Sequence, residues 1–511
     1  MPDAPEPAAV AAGSGHLLAR RARIDTYQQP VVYMRSDCTV CRAEGFEAQA
    51  QVEVTANGRE VLALLHRVEA DWLGCDEVAL SDAAWNLLAL QGGEPVVVRH
   101  AKPLESLKFL RAKVYGRKLD DASMHALIDD VGNGRMSDLH LAAFITACAG
   151  GRLDQEEIVA LTRAMVDAGE RIRWPISPVM DKHCVGGLPG NRTTMIVVPI
   201  VAACGVIMPK TSSRAITSPA GTADTMETLA PVNLDVPTMR RIVEREGGFI
   251  AWGRAARLSP ADDVLIRVER PLDLDSEAQL VASVISKKLA VGSERVVIDI
   301  PVGPTAKVRS HAAAQSLGAS LIAVGAAVGL QVRVIQSDGR QPVGRGIGPA
   351  LEAMDVMAVL QRSVDAPQDL RERALVLAGA VLEMAGRTLA GAGHALAART
   401  LDSGQALNKF TAICEAQGGL REPPRAPFRQ AVPAPRSGRI GAIDNRRLAR
   451  AAKLAGAPQD AAAGAVIHVR LDDAVATGQP LFTLHAQTPG ELAYALAYVN
   501  AQSPIVEIDR P

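Results

Sequence analysis

The sequence predicts a multidomain α/β protein with four parts: a small N-terminal β domain, a helical bundle domain, a central α/β domain with a parallel or mixed sheet, and a C-terminal β-rich, barrel-like α+β domain. Three observations point there. β-Branched patches broken by turns occupy residues 16–100, helical periodicity dominates 104–172, and from 178 onward helical runs alternate with short apolar strands. At 511 residues and 48% hydrophobic content the chain can bury several cores, and with aromatics at 3% those cores must be built from small aliphatic side chains. A net charge of -1 lacks the basic face of a dedicated nucleic-acid binder.

Residues 1–15 hold acids and prolines with no basic start before an apolar run, and read as a tail rather than a signal peptide. The N-terminal β domain, 16–100, is marked by VVYMRS, AQVEVT and EPVVVRH and by the turn Ala56-Asn57-Gly58. Its Cys38-Thr39-Val40-Cys41 has the spacing of a metal or redox pair, but no second pair accompanies it, and two reduced thiols near a turn are the plainer account. Seven cysteines scattered along the chain form no secreted disulfide framework and fit a reducing, cytoplasmic setting.

The helical domain spans 101–175, with Asp and Ser starts and Gly stops, and the α/β domain spans 176–420. A proline-rich linker, 421–436 (REPPRAPFRQAVPAPR), leads to the C-terminal domain, 437–511, where GAVIHVRLDDAVATGQPLFTLHA gives strand, Asp-rich turn and strand before the helix ELAYALAYVNA. The longest apolar stretch, 195–208, contains Pro199 and is too short for a bilayer, so no membrane segment is expected.

Chemistry concentrates in residues 181–222, where DKHCVGGLPGNRTT and KTSSRAITSPAGTAD flank an apolar run. Glycines, hydroxyls and cations (Lys182, His183, Arg214) make up nearly all the polar positions, which is the composition of an anion cradle. It is not the ATPase phosphate loop, because the glycine required directly before Lys210-Thr211 is missing, and Gly186-Gly187-Leu188-Pro189-Gly190 does not fit GxGxxG. Amides near Thr193 and Thr194 open one apolar helix and Thr222 opens a second. His183, at the mouth of the cradle, is placed to give or take a proton near neutral pH.

Farther on, Ser276 with Gln279 reads as a capping box. Ser283 and Lys287 then share one helix face, which either grips a polar heterocycle beside Asp275 or is simply solvated.

Taken together these residues are familiar. Lys182-His183-x-x-Gly186-Gly187, Pro199-x-Val201-Ala202-Ala203-Cys204-Gly205, Ser212-x-Arg214, Gly221-Thr222-x-Asp224 and Ser283-x-x-x-Lys287-Lys288-Leu289-Ala290 resemble the thymidine and pyrimidine nucleoside phosphorylase family over about residues 100–500. The extra N-terminal domain and the wording SRAITSPAGTADTME look more like its second type, which includes AMP phosphorylases. The resemblance implies a pentosyltransferase that uses inorganic phosphate as co-substrate and no metal or organic cofactor. Phosphate would be held by Lys182, Gly187, Thr194, Ser212 and Thr222. The nucleoside or nucleotide would meet Ser213, Arg214, Ala215, Ile216, Thr217, Ser218, Ser283, Lys287 and Lys307, with His183 and Asp275 catalytic and Asp275 the proton donor.

The implied partners are these small molecules and a second copy of the chain, in a homodimer or larger homo-oligomer, with no nucleic acid or membrane. Val268 stands where thymidine phosphorylases place a base-binding arginine, between Arg267 and Arg270, while Cys184 and Ser218 replace a serine and a histidine. A nucleoside 5′-monophosphate, its extra phosphate meeting Lys307 or Arg214, is therefore a second reading, and a non-catalytic nucleotide-binding sensor a third.

Overall fold

Alternating apolar residues close the first strands on themselves. In the computed structural model, which describes residues 16–509 apart from 216, 217, 254–257, 273 and 275, β1 (His16–Arg21), β2 (Val31–Arg35), β3 (Gln51–Ala56), β4 (Arg59–Val68), β5 (Glu77–Leu80) and β6 (Pro95–His100) form a closed barrel in the order β1-β5-β2-β4-β3-β6. The β3–β4 hairpin turns on Asn57 and Gly58, both at positive φ (51° and 70°), the condition for a two-residue turn that matches strand twist. Val52, Val54, Leu65, Val78 and Val96 fill the interior. Short helices α1 (Thr39–Ala43) and α2 (Asp82–Leu88) complete this part. Cys38 and Cys41 are buried, and the Cys38 sulfur caps α1 by accepting from the Cys41 amide at 3.2 Å.

This barrel belongs to a unit made of residues through Arg111 with Asn133–Ala143; Ala112–Gly132 and Phe144–Pro511 form a second. Helices α3 (Leu107–Val114), α4 (Asp121–Gly132), α5 (Asp138–Cys148) and α6 (Gln155–Asp167) follow the barrel in the chain. Asp154 and Glu157 make a capping box for α6, and the buried Glu157 carboxylate also accepts from Lys113 Nζ at 2.6 Å and the Leu119 amide at 2.9 Å.

The α/β layer then runs β7 (Met180–Cys184), α7 (Thr194–Ala203), β8 (Met208–Ser212), α8 (Thr222–Glu227), α9 (Val236–Glu246), β9 (Gly248–Trp252), α10 (Pro260–Leu272), α11 (Glu277–Ala290), β10 (Arg295–Val302), α12 (His311–Ala327) and β11 (Gln331–Asp338). Strand pairs β7–β10, β10–β11 and β8–β9 are all parallel, and the parallel bridge Val179–Ile207 joins the groups in the order β9-β8-β7-β10-β11. The chain builds β7, β8 and β9 outward and then returns to the other side of β7. The strand order thus reverses between β7 and β10, a switch point of the kind at whose carboxyl ends open α/β sheets hold ligands. Helix α7 is apolar all round because it is buried all round, in a core that also takes α13 (Pro349–Leu360), α14 (Gln368–Met384), α15 (Gly393–Asp402) and α16 (Gln405–Gln417).

Two antiparallel sheets finish the chain. One is β12 (Gly346–Ile347), β15 (Gly464–Ile467), β17 (Pro480–Ala486) and β13 (Phe428–Pro433); the other is β16 (Ala474–Val475), β14 (Gly438–Ile443) and β18 (Val506–Asp509), with α17 (Asn445–Leu454) and α18 (Pro489–Ala501) over a shared core. The stretch expected as a linker, 421–436, is thus corrected: Phe428–Pro433 is an edge strand on β17, a position where proline costs no ladder bond. Among the described residues no helix is long and apolar enough to cross a membrane.

Candidate active site

β7 reads Met180-Asp181-Lys182-His183-Cys184, and strand alternation sends Lys182 and Cys184 to one face, Asp181 and His183 to the other. On the first face Lys182 is 1% exposed, and its ammonium donates to Thr193 Oγ1 at 2.6 Å. Asn191 donates to Cys184 Sγ at 3.2 Å and to Asp299 at 3.3 Å, while Ser337 donates to the other Asp299 oxygen at 2.5 Å. Burial pushes the Lys182 ammonium down and the Cys184 thiol up to about 12. Thr193 itself has helical backbone angles and no side chain caps α7. The Met195 and Ile196 amides turn back to the Arg192 and Thr193 carbonyls at 3.2 and 3.1 Å, which leaves the start of the helix at Thr194, next to the residue that holds the buried Lys182 ammonium.

Close backbone approach needs glycine here. Gly187 has φ +78°, and a Cβ on it would stand 2.5 Å from the Lys307 amide nitrogen, so the turn after β7 rests directly on the loop after β10. Gly221 is pressed in the same way against Arg214 and Ala215.

The turns after β7 and β8 meet through Arg192. Its guanidinium donates to the Ala220 carbonyl, pairs with the fully buried Glu352 and reaches Thr225 Oγ1 at 3.2 Å. Thr225 donates to Glu352 at 3.2 Å, and the second Glu352 oxygen accepts from the Gly348 amide at 3.2 Å. Burial raises the Glu352 pKa, against the pull of Arg192.

Ser212 ends β8, half-buried, and Thr222 opens α8. That helix start already has an anion: Asp224 accepts from the Ala215 amide at 2.6 Å and the Gly221 amide at 2.8 Å. Arg214 is committed to Asp224 at 3.1 Å and to both oxygens of Glu227, and it stacks over Trp252 at 4.8 Å. Ser213 accepts from the Ala223 amide through its carbonyl at 3.3 Å, and the Ser218 hydroxyl donates to the Ala220 carbonyl at 2.8 Å. Ile216, Thr217 and Asp275 lie outside the described residues.

On the second face of β7, His183 is half-buried, and burial and then Lys288, Lys210, Lys287 and Lys182 push its pKa well below the ordinary value. The expectation of an imidazole that titrates near neutral pH is corrected accordingly: His183 is neutral there, able to donate one N–H and accept at the other nitrogen. Ser283 and Lys287 share a face as spaced, with Nζ to Oγ at 3.0 Å; both are half-buried, and Lys287 pairs with buried Asp262 at 2.6 Å. Ser276 caps α11 on the Gln279 amide at 3.4 Å, but the Gln279 side chain is buried with no hydrogen-bond partner, so only half of the expected capping box forms. Val268 is buried in α10.

Sequence reasoning did not single out Asp181, Lys210, Lys288, Arg192 or Glu352 for the site. The one local signal is Lys288 inside the apolar run of α11, since a lysine at a buried helix position needs a counter-charge. No group of three potential metal ligands is found among the described residues.

Comparison with known proteins agrees with this architecture. Residues 107–169 match the glycosyl transferase family helical bundle domain, 177–407 the glycosyl transferase family a/b domain, and 439–506 the pyrimidine nucleoside phosphorylase C-terminal domain. A protein of Acidovorax sp. (strain JS42) named "Putative thymidine phosphorylase 2" is 65% identical over 492 residues, 96% of each chain. "Putative thymidine phosphorylase" proteins of Polaromonas sp. (strain JS666) and Hahella chejuensis are 65% and 57% identical, covering 96% and 97% of this chain. The fold is also similar to that of anthranilate phosphoribosyltransferase from Thermus thermophilus, at a TM-score of 0.50 and 21% identity over 60% of this chain and 98% of that one. With its three domain matches and near full-length relatives, the chain belongs to the thymidine and pyrimidine nucleoside phosphorylase family.

Proposed function

We propose that the protein is a thymidine phosphorylase-type enzyme: inorganic phosphate attacks the anomeric carbon of a pyrimidine nucleoside or deoxynucleoside, a C–O bond forms as the glycosidic C–N bond breaks, and the electron pair leaves with the base. The products are free base and a sugar 1-phosphate. The observation that supports this most is the buried Lys182 ammonium, held by Thr193 at the uncapped start of α7 on one face of β7, with a neutral His183 on the other face. A buried cation at a helix start suits an anionic nucleophile. A neutral imidazole beside Ser283 and Lys287 suits a heterocycle with donors and acceptors.

In this reading Lys182, Gly187, Thr194, Ser212 and Thr222 orient phosphate, Ser283, Lys287 and His183 hold the base, and Asp275 supplies its proton. A nucleoside 5′-monophosphate remains the second substrate class because Lys307 adjoins the Gly187 turn. Arg214, already engaged by two carboxylates, adds little to it.

Incubation with phosphate and a panel of thymidine, uridine, AMP and CMP separates these classes by which base is released. Thymidine or uridine turning over, and the monophosphates not, supports the first; the reverse replaces it with the second, and no release from any of the four sinks both. Asp275→Asn is expected to lower kcat by about 10²–10⁴-fold with little change in phosphate KM, the signature of a group acting in the transition state. A variant as fast as the parent would remove Asp275 from the chemistry.

A further inference from the structure

Next to His183 two lysines share one carboxylate. Asp181, two residues earlier on the same face of β7, lies 3.1 Å from Lys210 Nζ of β8 and 2.9 Å from Lys288 Nζ of α11. All three are nearly out of water, at 0%, 4% and 2% exposure for Asp181, Lys210 and Lys288. Lys210 also donates to the Thr211 carbonyl at 2.9 Å. The neighbouring Lys287 does not draw on Asp181, because Asp262 matches it at 2.6 Å. Among the described residues the cluster thus sets two cations against one anion, and an unmatched buried ammonium is destabilising. Such a cost persists where another step gains from it.

Nucleoside cleavage supplies that step. As the glycosidic bond breaks, its electron pair moves onto the base, and fixed positive charge in a site shielded from water stabilises the developing anion without reorganising. We propose that Lys210 and Lys288 are positioning residues for base departure: sharing Asp181, they hold a surplus positive charge behind His183, on the side of the site where the leaving base becomes negative. Their chemistry rests on the phosphorolysis reading; their field at His183 does not.

Among the described residues the groups facing the cluster are His183 and Asp181 from β7, Lys210 from β8, Lys287 and Lys288 from α11, and Asp262 from α10. Burial works to raise the Asp181 pKa, but the two lysines hold it below the ordinary value. Burial lowers Lys288 to about 7 against the pull of Asp181. The protonated, surplus-carrying form of Lys288 is therefore present below about pH 7 and is lost as pH rises through it, so kcat/KM is expected to decline across that range.

Lys210→Met tests the proposal, because Lys288 remains to match Asp181 one to one and no carboxylate is left bare. With uridine, kcat/KM is expected to fall by about 10- to 100-fold; with 5-nitrouridine, whose base leaves readily as an anion, by less than about threefold. Phosphate KM should hold, and the His183 pKa read by NMR titration should rise toward the ordinary 6.5. Equal losses with both nucleosides and an unmoved His183 would overturn it. Lys288→Met must give the same pattern, so failure of one variant to fold leaves the other. If the parent releases no base from any nucleoside the phosphorolysis reading fails by itself, and the His183 shift still decides whether the surplus charge is there.

Discussion

Lys182→Met should raise the phosphate concentration for half-maximal base release by about 10- to 100-fold while leaving the nucleoside KM within about twofold. The range follows from a charge-assisted contact to phosphate of roughly 1.5–3 kcal/mol, with about 1.4 kcal/mol per tenfold change. What makes the variant informative is the packing. Lys182 is 1% exposed; among the described residues its ammonium makes one hydrogen bond, to Thr193 Oγ1, and desolvation already disfavours its charge. Methionine has nearly the same length and no charge, so stability should be unchanged or higher. A phosphate titration that does not move, in a protein that melts like the parent, would take Lys182 out of the phosphate site. A structural role alone would show the opposite pattern, a lower melt with normal phosphate dependence.

Arg192→Met should destabilise the second unit by about 3–5 kcal/mol, because it strands Glu352 as a fully buried carboxylate without its counter-ion. Glu352 would keep Thr225 and the Gly348 amide, which cannot neutralise a charge. Arg192 also carries the contact to Ala220, so the turns after β7 and β8 lose the link that sets their spacing, and phosphate KM should rise with the loss of stability. Arg192→Met with Glu352→Met removes both charges and is expected to recover most of the stability and none of the phosphate affinity. Urea unfolding and a phosphate titration on the single and double variants read the two effects apart. A double variant as unstable as the single one would mean that the uncompensated charge is not the cause.

Much of this molecule could be read before folding it. Asn57-Gly58 between alternating apolar runs is a local signal with a local cause, and so is Ser283 four residues before Lys287. The glycine-rich turns at 186–190 and 221 mark an anion cradle in the sequence; in the fold Gly187 and Gly221 press against the backbone of Lys307 and Arg214, contacts between turns that the composition does not specify. The strand Phe428–Pro433 was hidden by its prolines, since on composition a proline-rich edge strand and a linker look alike until a partner such as β17 appears. Arg214 counts as a cation of the cradle in the sequence, because nothing along the chain shows that Asp224 and Glu227, ten and thirteen residues away, fold back to pair with it.

By itself the sequence determined the domain order, the helix and strand types, the family and the two hydroxyl-rich turns, all of which depend on spacing within a few residues or on motifs in fixed order. Only the tertiary structure decided which charges face each other: Asp181 between Lys210 and Lys288, Glu352 beneath Arg192, and a neutral His183 opposite a buried Lys182. Charge pairing in a buried site depends on distance through space and on the water excluded from it, and neither quantity exists along a chain until β7, β8 and α11 are packed together.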